Sequence, residues 1–237
     1  MNLVEALAQA RGRIASAEAK RLLRHVLAIT ASEVAAHPER ALDESQSSRY
    51  AELVQRRAAG EPVAYLVGSR EFYGRDFRVT PAVLIPRPET ELLIELALTK
   101  VSRGGTPRML DLGAGSGCVA ITLALELGCA VTAVDVSVEA LAVARDNAAR
   151  FGARVNLVES DWFAGVEGRF ELIVGNPPYV AEGDAHLRDL AFEPMTALAC
   201  GADGLNAIRR IVADAPRHLT PGGWLLLEHG YDQAAAV

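Results

Sequence analysis

The most chemically specific stretch of the sequence is Asn176-Pro-Pro-Tyr179, which directly follows a predicted buried strand. A planar amide nitrogen is a poor nucleophile because its lone pair is delocalised into the carbonyl. Acceptors for its two hydrogens make it more reactive, and the Asn176 side-chain oxygen and the Pro177 carbonyl are suitable acceptors. Consecutive prolines preorganise both acceptors, and Tyr179 offers a flat face to the amide. The alternative is a structural turn with a capping asparagine.

A glycine-rich loop, Asp111-Leu-Gly-Ala-Gly-Ser-Gly117, lies between a predicted strand and a predicted helix. Its glycines allow a tight turn and let the backbone approach a ligand closely. Asp135 ends the next predicted strand, where its carboxylate can accept hydrogen bonds from both hydroxyls of a ribose. The dinucleotide fingerprint requires a glycine at position 118, which is Cys118 here. The pattern therefore favours a nucleoside cofactor other than a dinucleotide.

Strands and helices alternate from residue 108 onward. We predict strands at 108–112, 130–134, 155–158, 170–174 and 223–227, and helices at 117–127, 137–151 and 206–219. Near-continuous apolar strands separated by helices indicate a mostly parallel sheet with helices on both faces. The expected fold class is α/β, Rossmann-like, in which ligands bind beyond the carboxyl ends of the strands.

Residues 1–70 have a different character and predict a small helical domain. Leu3, Leu7 and Ala10 recur at helical spacing, a second helix is expected around residues 19–27, and a third at 47–59. Residues 71–87 combine strand formers around Gly74 with three prolines, which predicts a hairpin and a stiff linker. The main domain is then expected at 88–237, beginning with Pro88 and a helix through 92–101.

Composition narrows the class of protein. The net charge of −6 argues against a non-specific nucleic-acid binder. The three cysteines are widely spaced and indicate free thiols in a reducing cytoplasm, and the five histidines show no metal-ligand spacing. No apolar run is long enough to span a membrane, and no signal peptide is recognisable. We therefore expect a cytoplasmic protein without a metal.

The Asn-Pro-Pro-Tyr segment and the glycine loop together resemble class I methyltransferases that act on planar amino groups. Residues 71–77, 85–91, 160–163 and 192–194 extend the resemblance, over nearly the whole chain, to the peptide chain release factor N5-glutamine methyltransferases. That resemblance implies S-adenosyl-L-methionine as the cofactor, with S-adenosyl-L-homocysteine as its product. It implies a cofactor site formed by Gly113, Ala114, Gly115, Ser116, Gly117, Asp135, Trp162 and Asn176.

The same resemblance implies the substrate. Asn176, Pro177, Pro178 and Tyr179 would receive the glutamine of a Gly-Gly-Gln loop, and the N-terminal helical domain would help to grip the release factor. A monomer without direct nucleic-acid binding is expected. Three alternatives stay open: a ribosomal-protein glutamine methyltransferase, an adenine-N6 nucleic-acid methyltransferase, and a non-catalytic nucleoside-binding module.

Several assignments have a structural alternative. Trp162 lies either near the adenine or simply in the core. Arg87 and Glu89 are expected to fix the linker and cap a helix, with a direct part in catalysis as the alternative. Glu193 either closes the active site or accepts a structural hydrogen bond. Methyltransferases of this fold end with two further strands, so the sequence is expected to be truncated after Val237.

Overall fold

The computed structural model describes residues 1–101 and 105–237, and the chain divides into two units, Met1–Gly68 and Ser69–Val237. The first unit is helical, with α1 Leu3–Ala10, α2 Ser16–Leu27, α3 Ala31–Ala36, α4 Glu44–Ala58 and α5 Val63–Val67. Its core is a cluster of buried aliphatic side chains that includes Leu3, Leu22, Leu23 and Leu53. The third helix expected from the sequence begins earlier than residue 47, because Asp43 caps it through the Gln46 amide.

The second unit begins with an antiparallel hairpin, β1 Ser69–Phe72 and β2 Arg75–Arg78, around the predicted turn at Gly74. A short 3-10 turn, Pro88–Thr90, then precedes α6 Glu91–Lys100. Pro88 is suited to this place because its fixed φ angle matches the first turn of a helix and its missing N–H would have no partner there.

A five-stranded parallel sheet forms the centre of the second unit. Its strands are β3 Met109–Leu112, β4 Val131–Asp135, β5 Val155–Glu159, β6 Phe170–Gly175 and β7 Leu219–Leu227. They lie in the order β5-β4-β3-β6-β7, and every pair is parallel. The helices that connect them are α7 Cys118–Leu127, α8 Val138–Phe151 and α9 Asn206–His218. The predicted α/β architecture and all five predicted strands are present.

Within the second unit, two of the boundaries that differ from the prediction have a clear physical reason. The last strand begins at Leu219 instead of residue 223, because Leu219 pairs with Phe170 and a register shift before Leu172 accommodates the Pro-Gly-Gly segment. The helix predicted from residue 117 begins at Cys118, because Gly117 has a φ of +79° and acts as its cap.

Candidate active site

The site lies where the strand order reverses. β3, the first strand of the sheet in chain order, lies between β4 and β6. The loops that follow β3 and β6 are therefore neighbours. Leu112 pairs with Gly175, the last residue of each strand. Gly113 and Asn176 therefore follow the sheet side by side, at the edge where open α/β sheets bind their ligands.

A cavity of about 390 Å³ opens at this edge. Its walls include most of the sequence-predicted site residues, namely Gly113, Ala114, Gly115, Ser116, Asp135, Trp162, Asn176 and Pro178. They also include residues that the sequence did not single out for the site, among them Thr90, Asp111, Ser137 and Glu139. Gly117, Pro177 and Tyr179 do not line the wall; Gly117 packs behind it and Pro177 is buried.

The glycine loop is held by backbone hydrogen bonds. The N–H groups of Gly113 and Ala114 both donate to the Val134 carbonyl, at 2.9 and 2.8 Å. The Gly115 N–H donates to Asp135 Oδ2 at 2.8 Å, while the Ser137 N–H donates to Oδ1 at 2.9 Å. Asp135 therefore fixes the loop with one lone pair of each oxygen, and its remaining lone pairs are available to a ligand.

Two polar side chains at the glycine loop, Asp111 at the end of β3 and Ser116 within the loop, are buried. Asp111 is buried and accepts a hydrogen bond from the Ala120 N–H at 3.1 Å. Burial raises the pKa of Asp111 to about 7, and the negative charge of Asp135 adds to the rise, against the lowering effect of the Ala120 hydrogen bond. Ser116 Oγ is buried and has no hydrogen-bond partner in the part of the chain that the structure describes. A buried hydroxyl in a cavity wall without a partner is a group that a ligand can satisfy.

Trp162 reaches the cavity through an unusual backbone conformation. Its φ is +54°, a backbone angle that residues other than glycine rarely adopt. The conformation is supported by Ser160, whose Oγ donates to the Trp162 carbonyl at 2.9 Å and accepts from the Gly165 N–H at 2.8 Å. A Cβ placed on Gly113 would lie 3.7 Å from the indole ring. The ring therefore lies over the glycine loop, as part of the cavity wall.

Asn176 belongs to a hydrogen-bonded chain of four side chains. Its Nδ2 donates to Thr90 Oγ1 at 3.1 Å, and Thr90 Oγ1 donates to Glu228 Oε2 at 2.7 Å. The Tyr179 hydroxyl donates to Glu228 Oε1 at 3.1 Å. Burial raises the pKa of Tyr179 to about 12, and the charge of Glu228 adds to this effect. Tyr179 therefore remains protonated at neutral pH.

An ion pair between the half-buried Arg87, which also lines the cavity, and the buried Glu193 anchors the proline-rich segment. Glu193 Oε1 lies 2.5 Å from Arg87 Nη2, and Glu193 Oε2 accepts from the Ile85 N–H at 3.0 Å. The Glu193 side chain is 3% exposed, so both of its oxygens are used inside the protein. These contacts fit the structural alternative considered for Glu193 and the linker-fixing role considered for Arg87. Glu89 is exposed and lies outside the cavity wall.

The walls of the cavity define the ligand chemistry that they can accept. Acceptor oxygens of Asp111 and Asp135 lie beside the glycine loop, while alanine, valine and the Trp162 ring supply apolar surface.

Within residues 1–101 and 105–237, no group of three His, Cys, Asp or Glu side chains could hold a metal ion. No helix of the described chain has the length and apolar content that crossing a membrane requires.

Comparison with known proteins covers both units. Residues 2–68 match the family model of the PrmC N-terminal domain, and residues 88–230 match that of the methyltransferase small domain. The chain is 49% identical to the release factor glutamine methyltransferase of Bordetella pertussis, over 93% of this chain and 83% of the relative. Identity to the protein of the same name from Burkholderia pseudomallei is 50%, over 93% of this chain and 81% of the relative.

A solved structure shares the fold of about two thirds of the chain. The T. thermophilus 16S rRNA N2 G1207 methyltransferase, solved in complex with AdoMet and guanosine, aligns with a TM-score of 0.51 and 25% identity. The alignment covers 67% of this chain and 40% of that chain. The methyltransferase fold predicted from the sequence is thereby confirmed.

Proposed function

The chain belongs to the release factor glutamine methyltransferases, and we propose that it methylates the side-chain amide nitrogen, N5, of the glutamine in the Gly-Gly-Gln motif of a peptide chain release factor. The observation that carries the proposal is identity of about half over 93% of the chain to relatives of that name. The position of Asn176 in the wall of the cavity, beside the glycine loop, supports it. Because the proposed substrate takes part in translation, we propose that the reaction takes place in the cytoplasm.

The cavity fits S-adenosylmethionine as the methyl donor. Its volume of about 390 Å³ lies within the range of roughly 300–1,000 Å³ for small-molecule sites. Asp135 keeps free lone pairs for the ribose hydroxyls, Trp162 offers a flat face to the adenine, and residues 113–117 would hold the methionine part. A Cβ on Gly115 would meet nothing within 4 Å, so the loop leaves open space there. When bound, the cofactor would supply a methyl group on a sulfonium sulfur; the neutral thioether of S-adenosyl-L-homocysteine is a good leaving group without a metal, and the methylated amide nitrogen would lose one proton to water.

The residues that follow β6 would position the substrate amide. Asn176 Oδ1 and the Pro177 carbonyl would accept its two hydrogens, which concentrates electron density on the nitrogen. Pro178 and the Tyr179 ring would pack against the planar group. Because Tyr179 stays protonated, its hydroxyl does not act as a base. The residues of this chain therefore contribute mainly orientation and fixed dipoles, which are effective when they are organised before the reaction.

We further propose that the N-terminal unit helps to bind the release factor. Support comes from the match of residues 2–68 to the PrmC N-terminal domain. Three of its helices, α1, α3 and α4, begin with a capping box, in which the cap side chain and a side chain three residues later each accept a backbone hydrogen bond. Defined helices with charged outer faces provide a rigid surface that suits protein recognition.

Transfer of labelled methyl from S-adenosylmethionine to a purified release factor tests the proposal. The matched control is the same release factor with the glutamine of its Gly-Gly-Gln motif replaced by alanine. We expect label in the unaltered factor and none in the control. Equal labelling of both would place the reaction at another residue. Labelling of ribosomal protein or of adenine in nucleic acid, with none of the release factor, would support one of the alternative substrates and overturn the proposal.

A further inference from the structure

The side-chain amide of Asn176 has two chemically opposite ends. Its Oδ1 accepts hydrogen bonds, whereas its Nδ2 donates them. A substrate amide nitrogen presents hydrogens, so it is recognised only if Oδ1 is available in the cavity. A rotation of the Asn176 amide by 180° would place a donor against the substrate donor. The proline residues fix the backbone of this segment, but they leave the orientation of the amide undetermined.

Thr90 removes this ambiguity because its hydroxyl has a single proton. That proton is donated to Glu228 Oε2 at 2.7 Å, and a carboxylate can only accept. Thr90 Oγ1 is therefore left as an acceptor toward Asn176, 3.1 Å away, and only Nδ2 can satisfy it. Thr90 is 3% exposed, so water has little access to replace either partner.

Glu228 is held in place by the same strand end as Asn176. Its backbone N–H donates to the Gly175 carbonyl at 3.0 Å, and Gly175 immediately precedes Asn176. Gly175 also pairs with Leu227 across β6 and β7. Within the described chain, Asn176 Oδ1 has no partner, and Asn176 lies in the cavity wall. The carboxylate thus sets the direction of donation in a chain that ends at Oδ1 of Asn176, a residue of the cavity wall.

We propose that Thr90 and Glu228 are positioning residues that fix the polarity of the Asn176 amide, with Nδ2 held by the protein and Oδ1 presented to the substrate amide. The proposal rests on the proposed function for its catalytic consequence. Glu228 also accepts from Tyr179, so one carboxylate organises the first and last side chains of the Asn-Pro-Pro-Tyr segment. Thr90 and Glu228 themselves act through these residues.

The first test compares Thr90→Val with Thr90→Ser. Valine has nearly the shape of threonine but lacks the hydroxyl, whereas serine keeps it. We expect Thr90→Val to lower kcat on the release factor about tenfold to a hundredfold, because a misplaced reacting group costs that much. Thr90→Ser should stay within about threefold of the unaltered chain, and the Kd for S-adenosylmethionine should change by less than about twofold in both.

Thr122→Val is the matched control. Thr122 is fully buried on α7, outside the cavity wall, and its hydroxyl has no partner in the described residues. The same chemical change there should leave kcat unaltered. An unchanged kcat in Thr90→Val would overturn the proposal. Equal losses in the serine and valine variants would also overturn it, because the hydroxyl would then be irrelevant.

A second measurement does not depend on turnover. The side-chain amide signal of Asn176 in ¹⁵N-labelled protein can be assigned by its loss in Asn176→Asp. We expect slow hydrogen exchange of this group in the unaltered chain and in Thr122→Val, and exchange at least about tenfold faster in Thr90→Val. If the unaltered chain methylates no release factor, the proposed function fails, and this exchange rate alone decides the assigned polarity. Unprotected exchange in the unaltered chain would overturn it.

Discussion

Two loops at the carboxyl edge of the sheet are held by different kinds of hydrogen bond. The loop at residues 113–117 follows β3 and contains three glycines, whose φ angles of +80°, +53° and +79° are suited to residues without a side chain. It is held by backbone N–H groups that donate to Val134 and Asp135, within 22 residues of the loop. The loop at residues 176–179 follows β6, contains two prolines, and depends on side chains from distant parts of the chain.

Under the proposed function, the glycine loop binds the cofactor and the proline loop positions the substrate amide, and the two tasks require different groups. A cofactor site can be made from backbone groups and one carboxylate, because the ligand has many polar atoms and a large apolar surface. A reacting amide needs acceptors at defined positions, and in the proposed mechanism Asn176 would supply one in only one of its two orientations. Local sequence can therefore specify the glycine loop. The proline loop requires partners that only the folded sheet brings close.

The strongest test of this contrast is Asn176→Ala. The change removes the acceptor that we propose acts mainly in the transition state, and we expect the rate of methyl transfer to fall about 10²–10³-fold. The Kd for S-adenosylmethionine should remain within a fewfold, because the glycine loop is unaltered. Single-turnover rates and equilibrium cofactor binding measure the two effects separately.

The matched control for this change is Asn156→Ala on β5, where the asparagine is exposed and lies outside the cavity wall. It should leave both the rate and the cofactor affinity unaltered. Small, parallel losses of rate and affinity in Asn176→Ala would show that Asn176 contributes to general binding and not to the reaction, and would remove the functional distinction between the two loops.

Asp135→Ala should give the reverse pattern. Its two oxygens hold the Gly115 and Ser137 N–H groups, so the change loosens the glycine loop and removes the acceptors proposed for the ribose. We expect the Kd for S-adenosylmethionine to rise at least about tenfold to a hundredfold, since the loss of even one charged hydrogen bond costs roughly 1.5–3 kcal/mol. The rate at saturating cofactor should fall much less. Titration calorimetry gives the Kd, and Asp146→Ala, an exposed residue on α8, is the control.

A loss of rate at saturating cofactor with an unchanged Kd would contradict this assignment. Asp135 would then belong functionally with Asn176, and the division of labour between the two loops would be incorrect.

The sequence predicted the parts of the molecule that depend on local pattern. Apolar runs located all five parallel strands, and the position of each run fixed which loops follow β3 and β6. Topology then brings the Gly113 and Asn176 ends together, because Leu112 and Gly175 pair across neighbouring strands. The glycine loop and Asp135 could also be predicted, because the spacing of the glycines and the position of Asp135 at a strand end are visible in the local sequence.

The sequence could not predict the partners of Asn176. Thr90 lies 86 residues before Asn176 in the chain. The sequence around Thr90 predicted only that a helix begins there after the proline-rich segment. Glu228 follows a strand whose predicted start was wrong, and nothing in its neighbours indicates a hydrogen bond to Thr90. Such contacts depend on tertiary packing. A polar side chain directly after the strand that neighbours β6 is the one signal that could have indicated Glu228.

The smallest expected effect concerns how the glycine loop itself is fixed. Gly117 and Gly128 cap opposite ends of α7 with φ angles of +79° and +65°. A Cβ on Gly128 would meet nothing within 4 Å, whereas one on Gly117 would lie 2.9 Å from Ile121 Cδ1 and 3.1 Å from Ala144 Cβ. Gly128→Ala should therefore cost only the conformational penalty, about 1–2 kcal/mol.

Gly117→Ala carries the same conformational penalty and an additional packing cost. Ile121 can adjust at the end of its side chain, but Ala144 is fixed by the backbone of α8, so we expect about 1 kcal/mol or more of further destabilisation. Urea unfolding followed by tryptophan fluorescence is suitable, because both tryptophans, Trp162 and Trp224, belong to the second unit. Equal midpoints for the two variants would mean that backbone conformation alone requires glycine at 117. A lower midpoint for Gly117→Ala would show that close packing of α7 against α8 also fixes the loop, as side-chain contacts fix the loop that carries Asn176.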